Sequence, residues 1–426
     1  MNNFKDLNLH LDILPLFDFT LNDSSKNTLV KLFREPLSST KEIETRQKII
    51  KGFIDNLETF RHYSYSRFDF CEVEKFLNKE SINNYKKSLN LRLLFSEKQR
   101  HQTRGKFIQF VVLFQQLQVY LGRTNTRSFL PEYKNELLKL NQFLISFNFD
   151  LYNERIREGN FKTKHIAQLA QTISEKQLNG EVDIFFQKFY LFEAYLSISK
   201  GISKNRFCFP AFSEGNIAFE DLYHPLLKNP VKNSFATRNN VTILSGPNMS
   251  GKSTFLKSVG LCIYLAHIGV GVPATKAELP FFDHLTVSIN HNDDISSGYS
   301  HFMTEVNTLK RVLVAATINK KSCAIFDELF KGTNSEEAFE ITSAILRGLT
   351  KFRNSFFFIS THLHQLKDID LVKTKQVDTY YIDCEIKGDI PLFNYQIKEG
   401  WSDLRVGRLL FEKEGLNALL QAKPNA

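Results

Sequence analysis

Cysteine is scarce and scattered in this 426-residue chain: Cys71, Cys208, Cys262, Cys323 and Cys384 form no CxxC pair, and no histidines cluster with them at metal-ligand spacing. Neither a disulfide framework nor a structural zinc site is expected, and a reducing compartment fits. Long apolar runs are also missing. No stretch approaches the roughly 20 residues that cross a bilayer, and the opening MNNFKDLNLHLDIL lacks a basic patch followed by an apolar core. The chain therefore reads as cytoplasmic, without a membrane span. No internal repeat or low-complexity tract stands out. What is present is enough apolar surface for a real core, 42% of residues, and a net charge of +9, which suits a polyanionic partner such as nucleic acid. Phenylalanine is abundant at 40 residues, a bias with no functional meaning in the sequence itself.

Up to about residue 205 the texture is helical: LVKLFREPL, FIQFVVLFQQLQVYL and LLKLNQFLISF space apolar residues by three and four, and Pro and Gly are sparse. Then FCFPAFSEGNIAFEDLYHPLL brings short β-rich pieces and turn residues, placing a boundary at about 205. Beyond it apolar strands alternate with helical stretches: VTILS, a helix over 253–268, CAIFD, a helix over 335–349, and SFFFIS. Such alternation predicts an α/β domain with a largely parallel sheet. VDTYYIDCEI and PLFNYQI read as a terminal hairpin, and RVGRLLFEKEGLNALLQA as a closing helical segment.

Gly246, Pro247, Asn248, Met249, Ser250, Gly251, Lys252 and Ser253 satisfy G-x-x-x-x-G-K-[ST] directly after an apolar strand, and Thr254 follows at the start of a helical run. The glycines let backbone wrap close to phosphates, the helix start offers free N–H groups, Lys252 can reach the β- and γ-phosphates, and Ser253 can ligate Mg²⁺. The strand CAIFD ends in Asp327 and Glu328. Asp327 would hold the Mg²⁺ shell, while Glu328 would orient and deprotonate an attacking water. A third strand ends in Ser360, Thr361 and His362, which puts an imidazole where it can sense a γ-phosphate. No NKxD motif follows to read guanine, so ATP is the expected nucleotide.

GPNMSGKST, the stretch from Asp327 to Ser335 and STHLHQL closely resemble the ATPase signatures of the DNA mismatch repair MutS family. LYHPLL, GVGVPATKAEL, GYSHFMTEV and NYQIKEGWSDLRVGRLLFEKEGL are similar to further family segments, and residues 1–60 look like its helical core. The resemblance implies an all-helical core/lever-like domain over 1–205, followed over 206–426 by an ABC-type P-loop α/β ATPase domain, an α + α/β architecture. It also implies a dimer in which each subunit closes the other's site. Asn248 would approach the γ-phosphate, Glu328 would be the base and His362 the switch histidine. Ser300 would act in trans, and Asn334 and Ser335 would lie in a loop crossing the interface. A transporter-type or chromosome-structuring ATPase is disfavoured, since 298–302 reads GYSHF rather than an LSGGQ-like run.

Departures from the family pattern are specific. Ser250 stands where Gly is common, and bulky Phe330 replaces a Gly near the expected interface. Ser288, Ile289, Asn290 and His291 lose an arginine, and no aromatic around 230–233 is placed to stack on adenine. The mismatch-reading and connector domains of full-length members are not expected ahead of this helical segment. A DNA-facing surface is expected from Lys86, Lys87, Arg92, Lys98, Arg100, Arg104, Lys106, Arg123 and Arg127, nine basic residues against the single acid Glu97. The leading expectation is an ATP-hydrolysing protein whose dimer closes on mismatched or branched DNA in repair or recombination. The alternative is a nucleotide-switched scaffold that binds protein or ribosomal RNA.

Overall fold

The computed structural model describes residues 4–77, 97–289, 301–318, 320–330, 333–387 and 390–404, with positions 411, 416 and 420. The chain is mixed α/β and divides into two compact units: Leu14–Glu35 with Glu44–Lys204, and Met1–Ile13 with Pro36–Ile43 and Asn205–Ala426. Sequence texture draws one boundary at 205, whereas the structure groups two early segments with the residues beyond it. The physical reason is local. Phe4 packs edge-on against Tyr264 at 4.5 Å, Asp6 accepts a 2.7 Å bond from the Ile289 amide, and the Leu37 amide donates to the His267 carbonyl. Periodicity cannot reveal such attachments.

The helical unit is built from α1 (Asp23–Leu32), α2 (Thr40–Asp55, from Glu44 on), α3 (Arg67–Leu77), α4 (Glu97–Arg123), α5 (Pro131–Ile145), α6 (Phe149–Arg157), α7 (Thr163–Leu178) and α8 (Glu181–Asn205, up to Lys204). Asn22 starts α1 by accepting from the Ser25 amide at 2.7 Å, and Pro131 opens α5 where a missing N–H costs nothing. Helix α8 buries Phe185, Phe186, Phe189, Phe192 and Tyr195, so it runs through the core rather than over it. Here the phenylalanine bias finds its use. Phe53 meets Phe129, Phe192 and Tyr133 edge-on at 5.0, 5.3 and 5.8 Å, and Phe110 packs on Phe114, Phe147 and Phe149. Such pairs add about 0.5–1.5 kcal/mol each beyond the area they bury.

One carboxylate lies inside this aromatic core. Glu193 accepts from Asn22 Nδ2 at 2.5 Å, Tyr65 OH at 2.6 Å and Tyr63 OH at 3.2 Å. Burial pushes its carboxyl above the ordinary range against the pull of these donors, and burial beside Glu193 pushes both phenols up.

The other unit is built on a six-stranded sheet in the order β10-β9-β4-β8-β7-β6. Its strands are β4 (Val241–Ser245), β6 (His284–Ser288), β7 (Ser322–Asp327), β8 (Phe356–Ser360), β9 (Asp378–Lys387) and β10 (Ile390–Glu399), and only the β9–β10 hairpin is antiparallel. Every residue of β4, β7 and β8 is buried, which is why they read as continuous apolar runs. Helices α9 (Lys252–His267), α10 (His301–Thr317) and α11 (Ser335–Leu349) alternate with them. A smaller sheet, ordered β1-β5-β2-β3, comprises β1 (Ala211–Phe212), β2 (Ala218–Leu222), β3 (Asn233–Ala236) and β5 (Lys276–Leu279). The expected closing segment over 405–422 lies outside the described residues apart from 411, 416 and 420. Among the described residues no helix is long and apolar enough to cross a membrane.

His267 closes α9 in a fully buried position. Its Nδ1 donates to the Ile263 carbonyl at 2.7 Å and its Nε2 accepts from the Phe282 amide at 2.8 Å, a pattern that requires the neutral ring. Burial pulls its pKa down to about 4.

Candidate functional site

Strand register assembles the site. In the parallel ladder β4–β8–β7, Leu244 pairs with Ser360 and Ser360 with Asp327, so the segments leaving these strands emerge at one edge of the sheet. The ends of parallel strands are where open α/β sheets place their ligand crevices.

After β4 the chain curls through Gly246 (φ 144°), Met249 (φ 67°) and Gly251 (φ 100°) before α9 begins. A Cβ at Gly246 would meet Ser250 Oγ at 3.0 Å, and one at Gly251 would meet the Tyr395 ring at 3.2 Å, so both positions are tight for a side chain and their positive φ favours glycine. Asn248 and Met249 stand exposed at the crest, between buried Pro247 and buried Ser250. Ser250 Oγ has no hydrogen-bond partner among the described residues. Lys252 is 5% exposed and folds back under the loop, donating to the carbonyls of Gly246 at 2.9 Å and Pro247 at 3.1 Å.

Ser253 Oγ donates to Asp327 Oδ2 at 2.5 Å, and the other Asp327 oxygen accepts from Ser360 Oγ. The Glu328 amide donates to Ser360 Oγ at 3.0 Å and to the Ser360 carbonyl at 3.2 Å. Glu328 itself has a left-handed backbone, φ 52°. One of its oxygens lies 3.8 Å from Lys252 Nζ and the other 3.8 Å from His362 Nδ1. A half-buried carboxylate between an ammonium and a half-exposed imidazole can take a proton from water. The Ser253 hydroxyl and the Asp327 carboxylate form a hard-oxygen pair, which suits a cation that keeps water and substrate oxygens in its shell. Among the described residues no cluster of three or more His, Cys, Asp or Glu could hold a metal by itself.

A cavity of about 390 Å³ adjoins the loop, lined among others by Tyr223, His224, Val231, Ser250, Thr254 and Tyr395. Burial, with Lys257 nearby, pulls the His224 imidazole below its ordinary range. The sequence offers no aromatic around 230–233, but the structure supplies Tyr395, 162 residues beyond Asn233. Tyr395 sits where the β9–β10 register shifts, at φ 54°, and Asn233 clamps the irregularity by donating to the Tyr395 carbonyl at 3.0 Å and accepting from the Ile397 amide at 2.8 Å. No local sequence signal marks that residue, because the feature that aims it is a bulge.

Other expected positions fare differently. Asn334 caps α11, accepting from the Glu337 amide at 2.8 Å, and Ser335 begins that helix. Phe330, expected near a subunit interface, is 2% exposed and packs on Phe302 at 5.3 Å within its own unit. Ser300 lies outside the described residues, as do Lys86, Lys87 and Arg92. Lys98 and Arg100 belong to α4, though their side chains are outside the description. Lys106, Arg123 and Arg127 are exposed and Arg104 half-buried. Arg104 and Arg123 share α4, separated by roughly 28 Å of helix axis.

Comparison with known proteins bears on the same edge of the sheet. MutS domain V matches residues 242–416. The DNA mismatch repair protein MutS of Bacillus subtilis is 29% identical over 297 residues, 67% of this chain and 32% of that protein. Its namesake in Clostridioides difficile is 28% identical over 289 residues, 65% of this chain and 28% of that protein, and that of Thermotoga petrophila is 33% identical over 204 residues, 46% and 25%. The matched stretch thus spans about a third or less of each relative's length. Residues 242–416 take in the strand ends that carry the glycine loop, the acid pair and the histidine, and together the comparisons support a MutS-family protein.

Proposed function

We propose that this chain is a Mg²⁺-dependent ATPase of the P-loop, ABC-related kind, acting on DNA as a dimer. One observation carries the reading: Lys252, Ser253, Asp327, Glu328 and His362 converge at the ends of three adjacent parallel strands, within bonding or ion-pair reach of one another. The loop 246–254 would wrap the phosphates, with Lys252 exchanging its two carbonyl partners for phosphate oxygens. Ser253 and Asp327 would hold Mg²⁺, which when bound neutralises charge on the β- and γ-phosphates. Glu328 takes a proton from the attacking water as its oxygen bonds to the γ-phosphorus and the bond to the ADP oxygen breaks. His362, beside Glu328, steadies the charge that develops. Asn248 at the crest faces the terminal phosphate, and Tyr395 offers its ring to the adenine in the adjoining cavity.

The relatives' printed name, the net charge of +9 and the nine basic residues over 86–127 support DNA as the polyanion, mismatched or branched, in repair or recombination. In this reading the helical 1–205 region is the core/lever and 206–426 the ATPase. Ser300 completes a partner's site, so turnover per subunit rises with protein concentration.

The test is steady-state ATP turnover by wild type and Lys252→Ala, alone and with homoduplex, mismatched and branched DNA and with RNA. Stimulation by DNA is the expected result. Stimulation by RNA alone removes the repair role, and turnover that persists in Lys252→Ala removes the site.

A further inference from the structure

The turn that carries Glu328 is held from two sides. On one, the Glu328 amide donates to both Ser360 oxygens. On the other, two residues along, the Phe330 amide donates to Glu305 Oε2 at 2.8 Å. Glu305 belongs to α10, one turn after Phe302, whose ring meets that of Phe330. Helix α10 therefore grips position 330 by both its amide and its side chain.

The grip answers a conformational need. Glu328 and Phe330 have φ values of 52° and 60°, a region that disfavours residues bearing a Cβ and that persists only where neighbours over-determine it. A glycine at 330 would adopt this backbone freely; a phenylalanine stays there because its ring is buried and its amide is bound. Glu305 is itself only 6% exposed, where a carboxylate is costly unless hydrogen bonds offset its lost hydration. Its bond closes the turn two residues beyond the proposed base.

We infer that Glu305 is a positioning residue for Glu328: acting through the Phe330 amide, it sets the Glu328 carboxylate against the attacking water, so displacement of α10 alters water activation and leaves nucleotide binding intact. The inference rests on the ATPase reading above.

The experiment uses the full chain with Mg-ATP, measuring kcat and KM together with the affinity of a fluorescent ATP analogue, for wild type, Glu305→Gln, Glu305→Asp and Glu305→Ala. Glutamine keeps the reach and an acceptor oxygen, whereas aspartate keeps the charge but falls one methylene short. A misplacement of this size costs on the order of 100-fold in rate. We expect kcat to fall about 30- to 100-fold in Glu305→Asp and Glu305→Ala, analogue affinity and KM to stay within about threefold, and Glu305→Gln to recover kcat to within about threefold of wild type. If Glu305→Ala does not fold by circular dichroism, the Asp and Gln pair decides. An unchanged kcat in Glu305→Asp overturns the inference, as does a loss equal in Gln and Asp or one carried by affinity. Absence of turnover in the wild type overturns the ATPase reading and this inference with it; turnover in the wild type that ignores Glu305 sinks this one alone.

Discussion

The two units spend conformational strain differently. Among the described residues the helical unit has one non-glycine residue with left-handed backbone, Asn148, a type that tolerates it. The other unit has eight, of which Met249, Glu328, Phe330 and Tyr395 lie at or beside the candidate site and none belongs to a tolerant type. The helical unit packs its aromatic rings in relaxed backbone geometry, whereas the sheet edge carries turns such as that of Phe330, held by a buried ring and a bound amide. Strain of this kind gathers where a site must be pre-organised.

The largest expected effect tests whether that pre-organisation serves chemistry. Glu328→Ala should lower ATP turnover about 10³-fold, worth about 4 kcal/mol, while binding of a fluorescent ATP analogue survives; turnover near the wild-type rate would reduce the strained turn to architecture. Next come opposite responses to acid. His267 is neutral when folded, with its pKa at about 4 against an ordinary 6.5. The unfolded chain therefore binds the proton first, and the contribution of His267, complete above pH 6.5, is lost as pH falls toward 4, about 3 kcal/mol in all. Glu193 has its pKa raised. Its contribution is complete below the unfolded value of about 4.5 and declines as pH rises through the folded one. The sole tryptophan, Trp401, reports the site-bearing unit, so its fluorescence should melt earlier than the helical circular dichroism signal as pH drops from 6.5 to 4. Coincident melting at every pH would erase the contrast.

Glu193→Ala leaves the Asn22, Tyr63 and Tyr65 donors facing a void and should destabilise the helical unit by about 2 kcal/mol in denaturant titration, with turnover per folded molecule unchanged. Smallest is Tyr395→Ala. Loss of one base–aromatic stack should weaken ATP binding by about 1.4 kcal/mol, a tenfold rise in Kd with kcat retained. Equal Kd values for ATP and a triphosphate without a base would remove Tyr395 from the adenine.

Much of the sheet was legible because buried parallel strands advertise themselves: VTILS, CAIFD and SFFFIS coincide with β4, β7 and β8 to within a residue, and the residues closing each strand followed directly. The remainder depended on geometry with no local signature. Tyr395 is aimed by a bulge, Glu305 works through an amide 25 residues away, and Phe4 and Asp6 attach an early segment to α9 and β6. Phenylalanine abundance, mute in composition, became intelligible only as contacts among rings.

Ser360 is opposite Asp327 because two fully buried strands allow one alignment, and its single hydroxyl gives to that acid while receiving from the next residue's amide. A slip by one place would bring Ile359 or Thr361 to the position and reverse which face of the strand each side chain occupies. The hydrophobic row behind the site thus works as a ruler. A cavity cut into 356–359, behind the acid pair, should mistune it at temperatures where the molecule is still folded, and inactivation would then precede melting.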